Sequence, residues 1–356
     1  MKNTYPTYYK KFACIADKCP DTCCAGWEIV VDGISAEKYN AVCGDFGDKL
    51  RRVLKTDEDG DRIFENINGR CPFLLENGLC EMYIRLGRES LCKTCENFPR
   101  HRVYFGARTE TGISLSCPEA AEIILNDPAP ITFETEETSA PLVPSDFNAE
   151  LYLLLMKARE KIFSIIQNRS RSVHERLIDV ILLSDKLDRL IRKSEYEEAE
   201  EFIRSFCENE FEAVANAPRA KRAFSKYISD HLEAEALNGN WKSILSSAKL
   251  FSGTYPEEFE IEHLAVYFFF RYFITAAYDG DLIGKVKFCI QAIIVIESLA
   301  SGCTDKQARI RLMQRYSKET EHSAFNMALL CSKIRKSRFY SPENLINILS
   351  FKENSL

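Results

Sequence analysis

The sequence lacks a strong charge bias, a secretion signal and an apolar run long enough to span a membrane. Its 47 basic and 53 acidic side chains give a formal net charge of −6, which argues against bulk attraction to nucleic acid or to an anionic membrane. Residues 1–6 contain none of the apolar stretch of a signal peptide. Residues 264–278 are the most hydrophobic segment, but they carry Arg271 at their centre and fall short of about 20 apolar residues. We therefore expect a cytoplasmic protein with 264–278 as a buried core helix.

Cysteine is the residue whose distribution is most informative. Ten of the 14 cysteines lie before residue 120. In a reducing cytosol, clustered cysteines bind metal or perform redox chemistry more often than they form a disulfide scaffold. The isolated cysteines are expected to act as small buried hydrophobic side chains instead. These are Cys43, Cys207, Cys289, Cys303 and Cys331.

The chain divides into three segments of different character. Residues 1–127 are loop-rich and hold most of the glycines, and residues 128–147 form an acidic linker that contains proline. From residue 148 to 356, apolar residues recur at helical spacing, as in Leu151, Leu154, Leu155 and Ala158. We predict a mainly α fold, in which a small loop-rich metal-binding domain precedes a multi-helix domain.

Nine cysteines have the spacing and context of metal ligands. They are Cys14, Cys19, Cys23, Cys24, Cys71, Cys80, Cys92, Cys95 and Cys117. Two sulfurs separated by two or three residues, as in Cys92-x2-Cys95 and Cys19-x3-Cys23, can reach one metal centre from a tight turn. Four thiolates complete a tetrahedral zinc site or a 4Fe–4S cluster. Nine thiols therefore leave open whether there are two metal sites or one site with additional partners.

Longer strings around these cysteines resemble known proteins. Their order is similar to that of the zinc- or iron-chelating CxxCxxCC proteins. The strings DTCCAGW at 21–27, GRCPFL at 69–74, CENFPR at 95–100 and LSCPEAA at 115–121 resemble the flagellin lysine-N-methylase family, over residues 5–125. This resemblance implies a bacterial cytoplasmic enzyme that moves a methyl group from S-adenosylmethionine to lysine Nε atoms of flagellin, its protein partner. It also implies an iron–sulfur cluster on the N-terminal cysteines.

Two familiar motifs for binding the methyl donor are missing from the sequence. We find no Cys-x3-Cys-x2-Cys run of the radical-SAM enzymes, and no Gly-x-Gly loop after a strand as in a Rossmann-type methyltransferase. An open iron of the cluster could instead chelate the donor. Arg100 and Arg102 flank His101 in a basic run after Cys95, which we interpret as a turn. These two arginines are candidates for holding the carboxylate of the donor or for neutralising cluster charge.

A lysine amine must lose its proton before it can accept a methyl group, because its ordinary pKa is near 10.4. The sequence does not identify the catalytic base, but aromatic and acidic residues beside the cysteines are candidates for this site. They are Trp27, Glu28, Glu81, Tyr83 and Glu119. We expect the helical segment to recognise the protein substrate.

Two other classes of function remain open at this point. One is a zinc-binding adaptor without catalysis, and the other is a thiol redox protein in which Cys92 and Cys95 cycle between dithiol and disulfide.

Overall fold

The computed structural model describes residues 1–25, 29–58, 60–139, 141–208, 215–237, 239–253 and 256–351. Most of these residues are helical, so the predicted mainly α fold is confirmed. None of the helices in the described ranges combines the length and apolar character needed to cross a membrane.

The strands of the described residues form two sheets. They are β1 (Lys2–Pro6), β2 (Ile29–Val30), β3 (Leu54–Thr56), β4 (Arg62–Phe64), β5 (Arg100–Phe105), β6 (Arg108–Ile113) and β7 (Phe133–Glu137). The larger sheet has the order β5-β6-β1-β7, in which β1 runs parallel to β6 and antiparallel to β7. Phe105 pairs with Arg108 across a two-residue turn, where Gly106 adopts a φ of 59° that favours glycine.

The smaller sheet, β2-β4-β3, shares a small apolar core with Cys71 and Cys92. The helices before residue 127 are α1 (Gly33–Asn40), α2 (Gly44–Val53), α3 (Glu81–Leu86), α4 (Lys93–Asn97) and α5 (Pro118–Leu125). Asp32 caps α1 by accepting a hydrogen bond from the Ser35 backbone N–H, and Pro118 occupies the first turn of α5. These short elements place cysteines at or next to their ends.

The remaining helices build the main body of the protein. They are α6 (Ala149–Ile166), α7 (Val173–Arg192), α8 (Tyr196–Ser205), α9 (Ala217–Leu232), α10 (Trp241–Ser247), α11 (Glu258–Tyr272), α12 (Ala276–Asp279), α13 (Leu282–Ala300), α14 (Lys306–Glu321), α15 (Ala324–Lys336) and α16 (Pro342–Leu349). Helix α7 starts at a capping box formed by Ser172 and Glu175. Helices α11 and α13 are buried on nearly every side and pack against each other at the centre.

The apolar segment 264–278 is buried, as predicted, but it is not one helix. Helix α11 ends at Tyr272, a 3-10 turn follows over Phe273–Thr275, and α12 then begins at Ala276. The buried residues Phe268 and Phe269 lie in the large core. The prediction of a core helix is therefore confirmed for residues 264–272.

Two apolar cores organise the chain. The larger core includes Tyr8, Phe12 and Ile113 together with the apolar faces of α6–α16, so the larger sheet packs with the helices. The smaller core lies within residues 29–92 and includes Tyr39 and Phe64. The segment bounds at residues 127 and 148 remain a prediction.

The predicted linker 128–147 is attached to both the sheet and the helices. It contains β7, which pairs with β1 over five residues. The Gly106 backbone N–H donates to Ser145 Oγ at 2.8 Å, and the Asn148 backbone N–H donates to the Ala277 carbonyl at 2.9 Å. The segment therefore connects the edge of the larger sheet to the start of α6 through fixed contacts.

A buried ion pair joins the larger sheet to the helices. Arg159 of α6 donates two hydrogen bonds to the carboxylate of Glu110 in β6, and it also donates to the Phe270 carbonyl at 3.3 Å. Both side chains are almost fully buried. Because water is excluded from both charged groups, each depends on the other for compensation.

We predict that Arg159→Met lowers the free energy of unfolding by about 3–5 kcal/mol, because it leaves the Glu110 carboxylate buried without its cation. Urea unfolding followed by circular dichroism measures this change. The control is Arg189→Met, which removes an exposed ion pair with Asp185 on α7 and costs about 0.3–0.5 kcal/mol. Equal losses in the two variants would contradict a structural role for the buried pair.

Candidate functional site

All 14 cysteines are free thiols, and the nine predicted ligands fall into two groups. The first thiol group is Cys14, Cys19, Cys23 and Cys117, and the second is Cys24, Cys71, Cys80, Cys92 and Cys95. Within each group the thiols influence one another's pKa through space. The two groups meet at the neighbouring residues Cys23 and Cys24, whose side chains are hydrogen bonded to each other. Mutual influence on pKa therefore divides these nine cysteines into two neighbourhoods.

The first thiol group borders the large core. Cys117 lies at the N-terminal end of α5 and belongs to that core, whereas Cys14 is exposed on the chain that follows Phe12. The Asp21 backbone N–H donates to the Cys19 sulfur, and this bond lowers the pKa of Cys19 against the stronger effect of burial, which raises it. The first thiol group thus combines two loops and the start of one helix.

The second thiol group is built into the small core. Cys71 and Cys92 are buried in it, and Cys24, Cys80 and Cys95 pack against it. The Cys71 backbone N–H donates to the Cys24 carbonyl at 2.8 Å, which fixes the distance between these two loops. Cys92 precedes α4 and Cys95 lies in its first turn, so the predicted Cys-x2-Cys pair lies on one short helix.

The pKa values of these thiols are governed by burial and by paired hydrogen bonds. Burial raises the pKa of Cys71 to about 12 and that of Cys117 to about 11. Cys23 and Cys24 form one hydrogen-bonded pair, and Cys92 and Cys95 form another. In each pair the hydrogen bond lowers the pKa of the accepting thiol, Cys24 or Cys92, and raises the pKa of the donating thiol, Cys23 or Cys95. Cys24 and Cys92 are therefore the first thiols of their pairs to ionise.

Metal binding by these cysteines remains a prediction. Among the described residues, no three His, Cys, Asp or Glu side chains converge closely enough to hold a metal ion. The chemistry of the donors nevertheless fits a soft metal centre, because nine reduced thiols are gathered in two groups rather than joined as disulfides.

Helix α14 contacts both loops that carry the first thiol group. Lys318 Nζ lies 2.5 Å from Asp21 Oδ1, and Gln314 Nε2 donates to Asp21 Oδ2 at 3.0 Å. The same amide nitrogen donates to the Ser116 carbonyl at 2.6 Å. Asp21 lies between Cys19 and Cys23, and Ser116 directly precedes Cys117. One helix face therefore touches the chain on both sides of the group.

A buried polar network continues from this contact along α11 and α14. The fully buried carboxylate of Glu321 accepts hydrogen bonds from the Tyr267 and Tyr272 hydroxyls at 2.9 and 2.6 Å, and it lies 3.2 Å from Arg271. Arg271 Nη1 donates to Ser114 Oγ at 3.0 Å. Burial raises the pKa of Tyr267 to about 12, so its phenol keeps its proton at neutral pH.

His322 ends this network beside Ser116. Its Nε2 atom lies 2.5 Å from Ser116 Oγ, and its ring packs against Phe98 with centroids 5.3 Å apart. Burial, together with the nearby charges of Arg271 and Lys318, lowers the pKa of His322 to about 4. The imidazole is therefore neutral at pH 7.

The interpretation of residues 100–102 as a basic turn was wrong, because they begin strand β5. Backbone pairing with β6 extends this segment, and alternation along the strand places Arg100 and Arg102 on the face opposite to His101. The Arg100 guanidinium stacks 5.0 Å from the Phe12 ring centroid, and Arg102 donates to Asn97 Oδ1 at 3.4 Å. Contact of either arginine with a methyl donor remains a prediction.

The side chain of His101 has a different environment from its two neighbours. Burial, and then the charge of Arg271, lowers its pKa well below the usual value. Its Nδ1 atom is buried and has no hydrogen-bond partner among the described residues.

The aromatic and acidic candidates for the methyl-transfer site lie in different parts of the structure. Glu81 forms ion pairs with Lys49 at 2.5 Å and with Arg85 at 2.8 Å, which indicates a structural role. Tyr83 is exposed on α3. Trp27 and Glu28 lie outside the described residues. Of the candidates that the structure describes, only Glu119 lines a cleft next to the first thiol group.

This cleft has a volume of about 80 Å³ and lies between α5 and α14. Its walls include Ile15, Pro20 and Pro118, which directly follow Cys14, Cys19 and Cys117 in the chain. Glu119 and Glu122 line this cleft and also a wider one of about 330 Å³ on the outer side of α5. The cleft thus approaches the first thiol group through apolar walls with two carboxylates at its side.

Several residues of this region were missed by the sequence reasoning. Asp21, Gln314, Lys318 and Glu321 are polar residues in segments where spacing alone gives no sign of their partners. Arg271 carried a usable signal, since a charge in the middle of an apolar helix requires a buried partner. That partner, Glu321, is 50 residues further along the chain.

Comparison with known proteins adds information about the helical part. The family described as FliB lysine N-methylase C-terminal domain matches residues 159–348, more than half of the chain. The Lysine-N-methylase of Salmonella typhimurium (strain LT2) is 32% identical over 159 residues, which cover 40% of this chain and 38% of that protein. The Lysine-N-methylase of Salmonella choleraesuis (strain SC-B67) is 32% identical over 155 residues, with the same coverage of 40% and 38%.

A third relative is the Flagellar biosynthetic protein FliU of Salmonella muenchen, which is 33% identical over 131 residues. That match covers 35% of this chain and 78% of FliU. The chain spans less than two fifths of the length of the two curated lysine methylases. No solved structure matches the chain.

We predict that alkylation of the reduced, metal-free chain at about pH 8 modifies the exposed Cys43 and Cys207 at least ~100-fold faster than Cys117. The raised pKa keeps Cys117 a neutral thiol until the pH approaches about 11, so its rate should rise ~100-fold between about pH 8 and pH 10. Timed iodoacetamide labelling with peptide mass spectrometry measures each site. Equal rates at Cys117 and Cys43 would show that the Cys117 thiol is not buried.

Proposed function

This chain belongs to the FliB lysine N-methylase family through its C-terminal domain, and we propose that it methylates lysine Nε atoms of a protein, with S-adenosylmethionine as the methyl donor. The proposed protein substrate is flagellin, and the proposed setting is the bacterial cytoplasm. The observation that carries this proposal is the family match over residues 159–348, together with relatives named Lysine-N-methylase and Flagellar biosynthetic protein FliU. The sequence strings around the cysteines support the same assignment.

The proposed reaction is a direct methyl transfer. The lone pair of a neutral lysine amine forms a bond to the methyl carbon of the donor, the bond from that carbon to the sulfonium breaks, and its electron pair stays on sulfur as a thioether. The nitrogen then loses one proton to water or to a base. The chain must therefore bind a lysine side chain with its amine deprotonated and in line with the methyl group.

The nine grouped cysteines would hold an iron–sulfur cluster, with zinc as the alternative. Soft thiolate donors and the absence of disulfides fit such a centre. A 4Fe–4S cluster with three cysteine ligands would offer an open iron to the amino and carboxylate groups of the methyl donor. This role would replace the glycine-rich loop that the sequence lacks.

We place the substrate lysine in the cleft between α5 and α14. Ile15, Pro20 and Pro118 provide apolar walls for its four-carbon stem. Glu119 and Glu122 outnumber Arg311 among the charged lining residues, so the net charge of the lining is opposite to that of the ammonium group. The same two carboxylates face the wider outer cleft, so an approaching lysine meets negative charge before it enters. Ile15, Pro20 and Pro118 directly follow Cys14, Cys19 and Cys117 in the chain, so a lysine bound in this cleft would lie close to the first thiol group.

A thiol redox function is the second candidate, and the hydrogen bond between Cys92 and Cys95 favours it. This bond lowers the pKa of Cys92, as in dithiol oxidoreductases. Cys92 is however only 1% exposed, so a partner thiol or disulfide has little access to its sulfur. Methylation therefore remains the better supported function.

We predict that the anaerobically purified chain contains iron and acid-labile sulfide and transfers a labelled methyl group to flagellin. The double variant Cys92→Ser with Cys95→Ser should lose metal and slow methyl transfer by about 10–100-fold, because it removes two thiolates from the second group. The matched control is Cys43→Ser with Cys207→Ser, which removes two exposed thiols outside both groups.

Three outcomes of this experiment would contradict the proposal. Zinc without iron or methyl transfer would favour the adaptor. Reversible loss of two thiols on oxidation, without metal, would favour the redox protein. A variant lacking Cys92 and Cys95 with unchanged metal content and rate would remove this pair from the site.

We predict that Glu119→Gln with Glu122→Gln raises the KM for flagellin about 3- to 10-fold and leaves kcat nearly unchanged, because the two carboxylates act on binding of the cation. Steady-state kinetics with varied flagellin measures both constants. The control, Glu197→Gln with Glu201→Gln, makes the same charge change at two exposed residues of α8. An equal rise in both double variants would mean that net charge, rather than the cleft, attracts the substrate.

A further inference from the structure

The contact of α14 with the first thiol group depends on two side chains one helical turn apart. Gln314 and Lys318 lie on the same face of α14, since residues four positions apart are neighbours on a helix. Both point to Asp21, and Gln314 also reaches the Ser116 carbonyl. Through these bonds a single helix face holds the loop of Cys19 and Cys23 together with the residue before Cys117.

The burial of Lys318 makes this contact specific. Its side chain is 2% exposed, and Asp21, at 35% exposed, is its carboxylate partner. Removing an ammonium group from water is costly unless a negative group compensates it at close range. The position of Asp21, and with it the loop between Cys19 and Cys23, is therefore constrained by the cation.

The amide of Gln314 imposes a second constraint. This side chain is 4% exposed, and its nitrogen donates to the Asp21 carboxylate and to the Ser116 carbonyl, which belong to parts of the chain 95 residues apart. The Ser116 hydroxyl is hydrogen bonded to His322, the residue that caps the C-terminal end of α14. Ser116 is thus fixed at both its carbonyl and its side chain by one helix.

We propose that Gln314 and Lys318 are positioning residues for the first thiol group, which hold Cys19, Cys23 and Cys117 at their relative distances. Neither residue touches a cysteine sulfur in this role, since both act through Asp21 and Ser116. The inference rests on the proposed function at one point, namely that these thiols bind a metal. It assigns to the helical domain a task beyond substrate recognition, namely fixing the loops that carry the ligands.

The test uses site-resolved alkylation of the full chain, reduced and freed of metal, at about pH 8. Lys318→Met keeps the aliphatic stem and removes the charge. We expect labelling of Cys19, Cys23 and Cys117 to become at least ~10-fold faster, whereas Cys71 and Cys80 of the second group and the core residue Cys289 keep their rates. Loss of a nearby cation disfavours the thiolate of Cys19, so a faster reaction there reports an opened loop rather than a lowered pKa.

The single variant leaves the Asp21 carboxylate without its cation, so a second variant removes both charges. Asp21→Ala with Lys318→Met removes both members of this ion pair and is expected to fold, because an ion pair replaced by apolar groups is often tolerated. It should show the same selective rise at the first thiol group. The control is Lys333→Met on α15, which removes ion pairs with Glu233 and Asp230 and should leave the rates at Cys19, Cys23 and Cys117 unchanged.

Metal analysis of the same proteins separates this inference from the proposed function. If the wild-type chain binds iron, Lys318→Met should reduce the iron content while the second thiol group retains its share. If the wild-type chain binds no metal, the proposed metal centre fails, but selective opening would still support the positioning role. Unchanged rates at Cys19, Cys23 and Cys117 in both variants would overturn the inference, as would an equal rise at Cys289 and in the second group.

Discussion

Ion pairs with at least one buried member restrict how the cysteine-bearing chain and the helices pack. Arg159 with Glu110 ties the larger sheet to α6, and Lys318 with Asp21 ties the loop after Cys19 to α14. Arg271 with Glu321 forms a third pair between α11 and α14, close to the same loops. Each pair is worth little in net stability compared with apolar packing, but each leaves a costly charge if its partner moves. These pairs therefore favour one relative arrangement of the two parts.

The two thiol groups of the cysteine-rich part are stabilised by different parts of the structure. The second thiol group lies in its own small core, so residues 29–95 can keep their shape through local packing. The first thiol group has no such core, and its surroundings come from α5, α11 and α14. Residues far along the chain thus determine the setting of four cysteines near its start. In the proposed methylase, the helical half would therefore act together with the cysteine motifs.

The sequence predicted the helical class and the buried segment around Arg271, because helical spacing and apolar composition reflect local physics. It also singled out nine cysteines as metal ligands, and that assignment stays a prediction, since no three potential ligands converge among the described residues. Their division into two groups was not predictable, because it depends on the folding of loops up to 100 residues apart. The run Arg100-His101-Arg102 was misinterpreted as a turn, since pairing with β6, rather than local propensity, makes it a strand. Lys318 and Asp21 gave no signal because a buried ion pair has no sequence period.

The adjacency of Cys23 and Cys24 has a mechanical consequence. One peptide unit joins the two residues, so the backbone conformation at this point sets the position of both side chains. If both thiol groups bind metal as proposed, a backbone shift that accompanies ligand exchange at one centre would also move a ligand of the other, and by thermodynamic reciprocity the influence would run in both directions. The two centres would then fill and empty as linked equilibria rather than as independent sites.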